Sequence, residues 1–301
     1  MVAVGVDHFL GEPPACFHPV VWIGRALSAV GAPWPRLRPL QAFAAGAACW
    51  LAGAGLSGAV AWLAVSSIRL LIGTSSPLAM LAASLLIGLL LKPLLAWRML
   101  RDEVLAVDRA LDSGLEAGRT QLRGLVSRDT SALSEREVRE SALESLAENL
   151  NDSLVAPLFW FAVGGLPAAA LYRFANTADA MWGYRGAWEW AGKWAAHADD
   201  ALSYVPARLT ALLIALSARH WPSRLGQVAR VTPSPNGGWP MGMLAIALNV
   251  QLSKSGVYVL NPAGAPAEAH HLLEALRLCE RCAWIGAALT AAMSFLICLW
   301  L

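Results

Sequence analysis

Four acidic side chains, Glu140, Glu144, Glu148 and Asp152, recur every four residues. That spacing lays them as a slowly drifting stripe along one face of a helix. Like charges so placed repel and cost a helix roughly 0.2–0.5 kcal/mol per pair, and Arg136 and Arg139 can compensate only the first turn. A solvated helix face is one explanation. A ligand is the other: oxygen donors of this kind suit magnesium, which keeps several waters and bridges to substrate phosphates. The stripe runs into Asn149, Asn151 and Asp152 immediately before an uncharged run, and that position favours the ligand.

Other polar groups flank apolar sequence in the same way. Arg128-Asp129-Thr130 lies between two helical patterns, where Asp129 or Thr130 can cap backbone groups. Asn176, Thr177 and Asp179, followed by Gly183, Tyr184 and Arg185, form a polar patch just past the third apolar run. Asp199 and Asp200 stand shortly before Arg208, flush against apolar sequence. Adjacent carboxylates beside a membrane segment are costly unless paired or metal-bound. Ser234-Pro235-Asn236-Gly237-Gly238 is a turn able to aim N–H groups at an anion.

Two other patterns fail on context. Gly53, Gly55 and Gly58 satisfy G-x-G-x-x-G but lie inside an uncharged span with no preceding strand. Small residues that let helices pack closely explain them better. No phosphate-binding P-loop motif occurs. Cys279 and Cys282 form a lone C-x-x-C in a helical stretch, without the second pair or histidines of a zinc site.

The elements that position these groups are membrane helices. Apolar residues fill 57% of the 301 positions and charged residues only 15%, whereas soluble domains carry about 25% charge. A net charge of +2 gives no field that argues for nucleic acid. Fourteen tryptophans suggest rings gathered at the membrane–water interface. Residues 40–68 and 70–91 are uncharged and long enough to span, and they predict a helical hairpin turning near 69–77. Residues 153–172 and 282–301 are further uncharged runs; 209–218 is too short alone, but with 204–209 it makes a tilted or half-buried helix over 204–218.

Charge gathers between the second and third runs, where residues 98–152 hold 20 of the 44 charged side chains. This reads as a water-exposed helical insert, with a capping box at Ser134 and Glu137 opening its last helix. Val138, Ala142, Leu146 and Leu150 mark that helix's apolar side. Arginines before the first run and after the second place the N-terminus and the insert in the cytoplasm. The expected fold is all-α: one polytopic membrane domain over 1–301, with four to five hydrophobic helices. Gly164, Gly165 and Pro167 should break the third run, so that it re-enters or packs on the hairpin without crossing.

Taken together, six segments resemble the adenosylcobinamide-phosphate synthase family of cobalamin biosynthesis. They are DHFLGEPPACFHPVVWIGR at 7–25, SRDTSAL at 127–133, ESLAENLNDSLVAPLFW at 144–160, GGLPAAALYRFANTADAMWGYR at 164–185, ADDALSYVPARLTALL at 198–213 and SPNGGWP at 234–240. Each is modest alone; six in order are specific. Glu12 stands where the family has an aspartate, His197 replaces an arginine, Ser203 an asparagine, and Met241 a common glutamate.

The resemblance implies ATP-dependent formation of an amide between a carboxylate of adenosylcobyric acid and aminopropanol or its phosphate, in an inner cell membrane. ATP and magnesium are the implied cofactors, with Glu144, Glu148 and Asp152 as metal ligands. Arg128, Asp129, Asp199 and Asp200 would be catalytic, one of the last two as base for the attacking ammonium. His18, Arg119, Asn176, Asp179, Tyr184, Arg185, Arg208, Ser234 and Asn236 would bind substrate. The corrinoid, aminopropanol phosphate and membrane lipid are expected partners, and other cobalamin-pathway enzymes are candidates. Competing classes are a non-catalytic corrinoid carrier or assembly scaffold, and a lipid-phosphate transferase using Asp199 and Asp200 for magnesium.

Overall fold

The computed structural model describes residues 1–73, 75–184 and 186–300. The chain is 76% helical, and the contacts divide it into two compact units. Unit 1 takes 1–96, 156–202 and 287–301; unit 2 takes 97–155 and 203–286. The sequence, uniformly helical and without a linker, gave no sign of that boundary.

Unit 1 opens with α1 (Val2–Leu10) and α2 (Pro19–Gly31), followed by the hairpin of α3 (Pro39–Ile72) and α4 (Pro77–Leu91). Arg69 lies in the last turn of α3 rather than between the two helices. Proline stands in the first turn of α2, α3 and α4, where its missing N–H costs nothing. Most of α3 and α4 is apolar yet exposed, for example Leu51, Leu56, Trp62, Leu81 and Leu89. Such a surface, on helices long and apolar enough to span, suits a bilayer.

Across from α3 packs α8 (Ala156–Trp182). The approach is close where α3 is small: a Cβ on Gly53 would stand 2.2 Å from the Phe174 ring. The glycine motif therefore serves helix packing at Gly53, while Gly55 faces open space. Trp34, Trp50 and Trp182 join this core. Part of the tryptophan set is thus structural rather than interfacial, because large flat rings fill the gaps that small residues leave. Gly164 and Gly165 depart from helical geometry, Gly165 at φ 67°, so the expected break is present at those residues.

Unit 2 is built around α7 (Glu135–Leu150). Two preceding helices, α5 (Trp97–Ser113) and α6 (Leu115–Leu122), pack against it. The capping box forms as expected: the Ser134 hydroxyl accepts from Glu137 N–H, and the Glu137 carboxylate accepts from Ser134 N–H at 2.8 Å. Val138, Ala142, Leu146 and Leu150 are fully buried, but so are Glu140 and Ser141, and Glu144 nearly so. The water-exposed insert expected from its charge is therefore corrected at its last helix. Charge density alone could not reveal that later segments cover α7.

Those segments begin with α9 (Lys193–Ala218), which runs from unit 1 into unit 2 and is far longer than its apolar run. Next come α10 (Leu225–Ala229), α11 (Gly238–Ala247) and a hairpin of β1 (Leu252–Lys254) and β2 (Tyr258–Leu260). The hairpin pairs Leu252 with Leu260, and both β1 and α11 pack on α7. The chain ends with α12 (Ala269–Trp300), whose side chains are described to Ser294. Among the described residues four helical stretches can cross a membrane by length and composition: Pro39–Ile72, Pro77–Ser113, Glu135–Trp182 and Lys193–Ala218.

The break at Gly165 is open to test. Its backbone lies in a region that side chains other than hydrogen strain by about 1–3 kcal/mol. We expect Gly165→Ala to lower stability by that amount in detergent-solubilised protein followed by thermal unfolding. An unchanged melting temperature would mean that the helix runs straight through.

Candidate functional site

Within unit 2 the acidic stripe separates into side chains with different tasks. Glu140 is fully buried and accepts from the Ser253 backbone N–H at 2.9 Å and from the Ser253 hydroxyl, with Arg136 as its ion-pair partner. It fastens the hairpin to α7. Glu144, one turn on, is paired with Arg128 at 3.2 Å. Arg128 also donates to the Ser141 hydroxyl, so the loop before α7 bends back to compensate a carboxylate inside it. The other oxygen of Glu144 is buried and receives no hydrogen bond of ordinary geometry.

Beside Glu144 stands Tyr258 of β2. Its hydroxyl points to the Met241 sulfur at 3.9 Å, although the carboxylate is the stronger acceptor. Burial, then the Glu144 and Glu148 carboxylates, push the phenol far above its usual range, so it stays protonated. Glu148 lies against the 234–238 turn: a Cβ on Gly237 would stand 3.1 Å from its Oε1. At Gly238 the fit is tighter, since a Cβ there would meet the Ala229 carbonyl at 2.0 Å and force the backbone to shift. Met241, where the resemblance leads one to expect an acid, is buried in the same place.

Arg208 of α9 braces the turn. It donates to Asn236 Oδ1 at 3.2 Å, to Pro235 O at 3.3 Å and to Tyr204 O at 2.6 Å. Its guanidinium lies 3.4 Å from the Tyr204 ring centroid and 4.7 Å from that of Trp239. All of its partners are neutral, so its charge is not cancelled locally. The expectation that the turn aims free N–H groups at an anion is corrected. Ser234 Oγ already accepts from Asn236 N–H at 3.2 Å and Gly237 N–H at 3.1 Å, because a serine opening a turn is well placed to cap it.

The remaining unit 2 candidates have structural partners. Asp129 is solvent-exposed and accepts from the Ser131 N–H and hydroxyl, both at 2.9 Å, which holds its carboxyl below the ordinary range. That is the capping turn. Arg119 donates to Leu133 O at 2.7 Å and pairs with Glu116, while Thr130 donates to Arg119 O at 2.9 Å; these bonds hold the 119–133 loop. Asp152 sits in a π-helical turn, Asn151–Val155, and accepts from Asn151 Nδ2 at 2.7 Å. Thr210 donates to Asn151 Oδ1 at 3.0 Å. Among the described residues no three His, Cys, Asp or Glu side chains group to hold a metal ion. The wider π turn takes Asp152 out of the simple helical stripe.

Within unit 1, Asp199 accepts from Asn176 Nδ2 at 3.4 Å, and Asn176 Oδ1 accepts from Arg173 at 3.3 Å. Asp200 is half-buried, with His197 as a neighbouring charge. Asp179 folds over Gly183, where a Cβ would stand 2.1 Å from its Oδ1. Tyr184 is exposed. Arg185 lies outside the described residues.

A second unit 1 cluster takes in the candidate His18 and three residues that were not candidates, Asp7, Glu12 and Lys92. Lys92 is buried and pairs with Asp7 at 3.1 Å and Glu12 at 2.8 Å, and His18 Nε2 lies 2.9 Å from the same Glu12 oxygen. The sequence set Lys92 among the cationic flanks of a span. No local spacing connects it to residues some eighty positions earlier, and only the packing of α1 on α4 does so. Glu12, in place of the family's aspartate, has the reach to meet both partners.

These observations define an all-α, multi-pass membrane protein with a buried carboxylate–guanidinium site in its second unit. The chain belongs to the CobD/Cbib protein family, whose model matches residues 1–279. It is 37% identical over 291 residues to a probable cobalamin biosynthesis protein CobD of Methanothermobacter thermautotrophicus, covering 92% of this chain and 91% of that protein. The cobalamin biosynthesis protein CobD of Rhodobacter capsulatus is 37% identical over 286 residues, covering 88% of this chain and 84% of its own length. That of Dehalococcoides mccartyi is 34% identical over 282 residues, covering 86% and 85%. These names support a role in cobalamin biosynthesis. No solved structure matches the chain.

Removing the cation from the Lys92 cluster should be severe, since one partner of a buried pair leaves its counter-charge uncompensated at about 3–5 kcal/mol. We expect Lys92→Met to lose that much stability on thermal unfolding, and Glu12→Gln in the same chain to recover part of it. Equal stability of Lys92→Met and the parent would mean that water reaches the cluster.

Proposed function

We propose that the protein is an acid–amine ligase of the inner membrane. It joins aminopropanol or its phosphate to a carboxylate of adenosylcobyric acid and uses ATP to do so. The observation that carries this reading is the cluster in unit 2. Two carboxylates on successive turns of a buried helix, Glu144 and Glu148, stand with Arg128, Tyr258 and the turn that Arg208 braces.

A carboxylate is a poor electrophile at neutral pH, so it must first be phosphorylated. The amide bond then forms as the amine attacks carbon and phosphate leaves. Phosphoryl transfer needs alignment and charge neutralisation more than covalent help. The donor set fits magnesium of the kind that takes one or two protein carboxylates and otherwise phosphate oxygens and water. Glu144 and Glu148 would hold it, and the ion would supply neutralisation of the phosphates. Asp152, bonded to Asn151, is left out of this narrower set. Arg128 keeps N–H donors beyond those on Ser141 and Glu144, enough to orient a phosphate or carboxylate oxygen. Tyr258, kept protonated, can donate to an anion.

The amine must arrive as a free base. Asp199 or Asp200 is assigned the proton of its ammonium, with Asn176 orienting Asp199. A general base of this kind is worth about 10²–10⁴ in rate.

Purified protein supplied with adenosylcobyric acid, ATP, magnesium and aminopropanol phosphate separates these roles. We expect Glu148→Gln to lose about 10²-fold or more of product formation while unfolding at the parent temperature. Glu140→Gln should instead lower the unfolding temperature, because its carboxylate fastens the hairpin. Normal turnover by Glu148→Gln at limiting magnesium would remove the metal assignment. At least one of Asp199→Asn and Asp200→Asn should lose about 10²-fold or more; losses below about threefold in both would make that pair structural.

A further inference from the structure

Apart from the carboxylate cluster, unit 2 carries a groove of about 1110 Å³ between the end of α9 and the first half of α12. Its polar wall holds three arginines: Arg219, just after the last residue of α9, and Arg277 and Arg281, one turn apart on α12. Among the described residues none of these guanidinium groups enters an ion pair or a side-chain hydrogen bond. One acidic side chain, Glu274, shares the wall, and the nearby His270 is turned to Glu268 at 3.5 Å. The groove is therefore cationic. Its other wall is apolar, formed by Leu216, Trp284 and Ile285.

The two walls coincide with two ends of membrane sequence. The apolar run of α9 finishes at Ala218, one residue before Arg219, and the uncharged run of α12 starts at Cys282, one residue after Arg281. Cys282 and Ser217 touch at 3.2 Å, so both ends lie at the same level. Long arginine side chains at such a boundary reach toward the headgroups. A soluble anion would need only the cationic wall, and a hydrocarbon only the apolar one.

We propose that this groove is a binding site for an anionic membrane lipid. Its phosphate lies on Arg219, Arg277 and Arg281, and its acyl chain lies along Leu216, Trp284 and Ile285. Guanidinium groups match phosphate oxygens with paired N–H donors, and the apolar wall adds area-dependent affinity.

Thermal unfolding of the detergent-purified full chain tests this without reference to the ligase reaction. The additions are phosphatidylglycerol, phosphatidylcholine and inorganic phosphate, each alone. A ligand at ten times its Kd should raise the melting temperature by roughly 2 °C. We expect that rise with phosphatidylglycerol only. It should vanish when Arg219→Gln, Arg277→Gln and Arg281→Gln are combined, and persist when the same three become lysine. The side chains are exposed, so the glutamine variant should keep the parent melting temperature without lipid. An equal rise with phosphatidylcholine would mean an apolar groove that ignores charge. The same rise with inorganic phosphate would mean a soluble anion site, and an unchanged lipid response in the glutamine variant would place the lipid elsewhere. Each of these overturns the proposal.

Discussion

An acidic helix buried at the centre of unit 2 constrains everything around it. A carboxylate taken out of water must be paired or hydrogen-bonded, or it does not stay ionised. Glu140 meets this demand with the Ser253 N–H and hydroxyl and with Arg136, and so fixes where the β1–β2 hairpin sits. Glu144 meets half of it with Arg128, and so fixes the R-D-T loop. The unmet half, one buried carboxylate oxygen beside Tyr258 and near Glu148, is where a cation and a phosphate would belong. The loop and the hairpin are consequences of satisfying one helix.

The second unit 1 cluster follows the same logic with the opposite sign. There a single buried cation, Lys92, gathers two carboxylates from the first twelve residues. The chain's opening motif is thus tied to the end of the transmembrane hairpin. Bulky rings and small residues then set how closely α3 and α8 approach, as Gly53 and Phe174 do.

Much of this was legible in the sequence because it is periodic or local. The uncharged runs gave the hairpin of α3 and α4; the Ser134–Glu137 spacing gave the start of α7. Glycines and a proline at 164–167 marked the break in α8. Glu144 and Glu148 were picked out because a four-residue repeat of like charge is costly without a reason. What stayed hidden depends on distant partners. Nothing near Glu140 announces Ser253, and nothing near Lys92 announces Asp7. Asp129 and the 234–238 turn looked like ligand sites but hold their own backbone, since the residue types that bind anions are also those that cap turns. The burial of α7 was illegible for a related reason: its charge pattern is that of a solvated helix, and the elements that cover it, α5 and α6 before it and α11 and the hairpin far after it, leave no mark on that pattern.

The central claim is that this membrane protein consumes ATP to form an amide on a corrinoid acid. The most direct measurement follows nucleotide and corrinoid together in purified protein given adenosylcobyric acid, aminopropanol phosphate, ATP and magnesium. We expect corrinoid amide and hydrolysed nucleotide to accumulate in equal amounts, and neither to do so when magnesium is removed. Tight corrinoid binding with no nucleotide consumed and no amide formed would contradict it and make the protein a carrier.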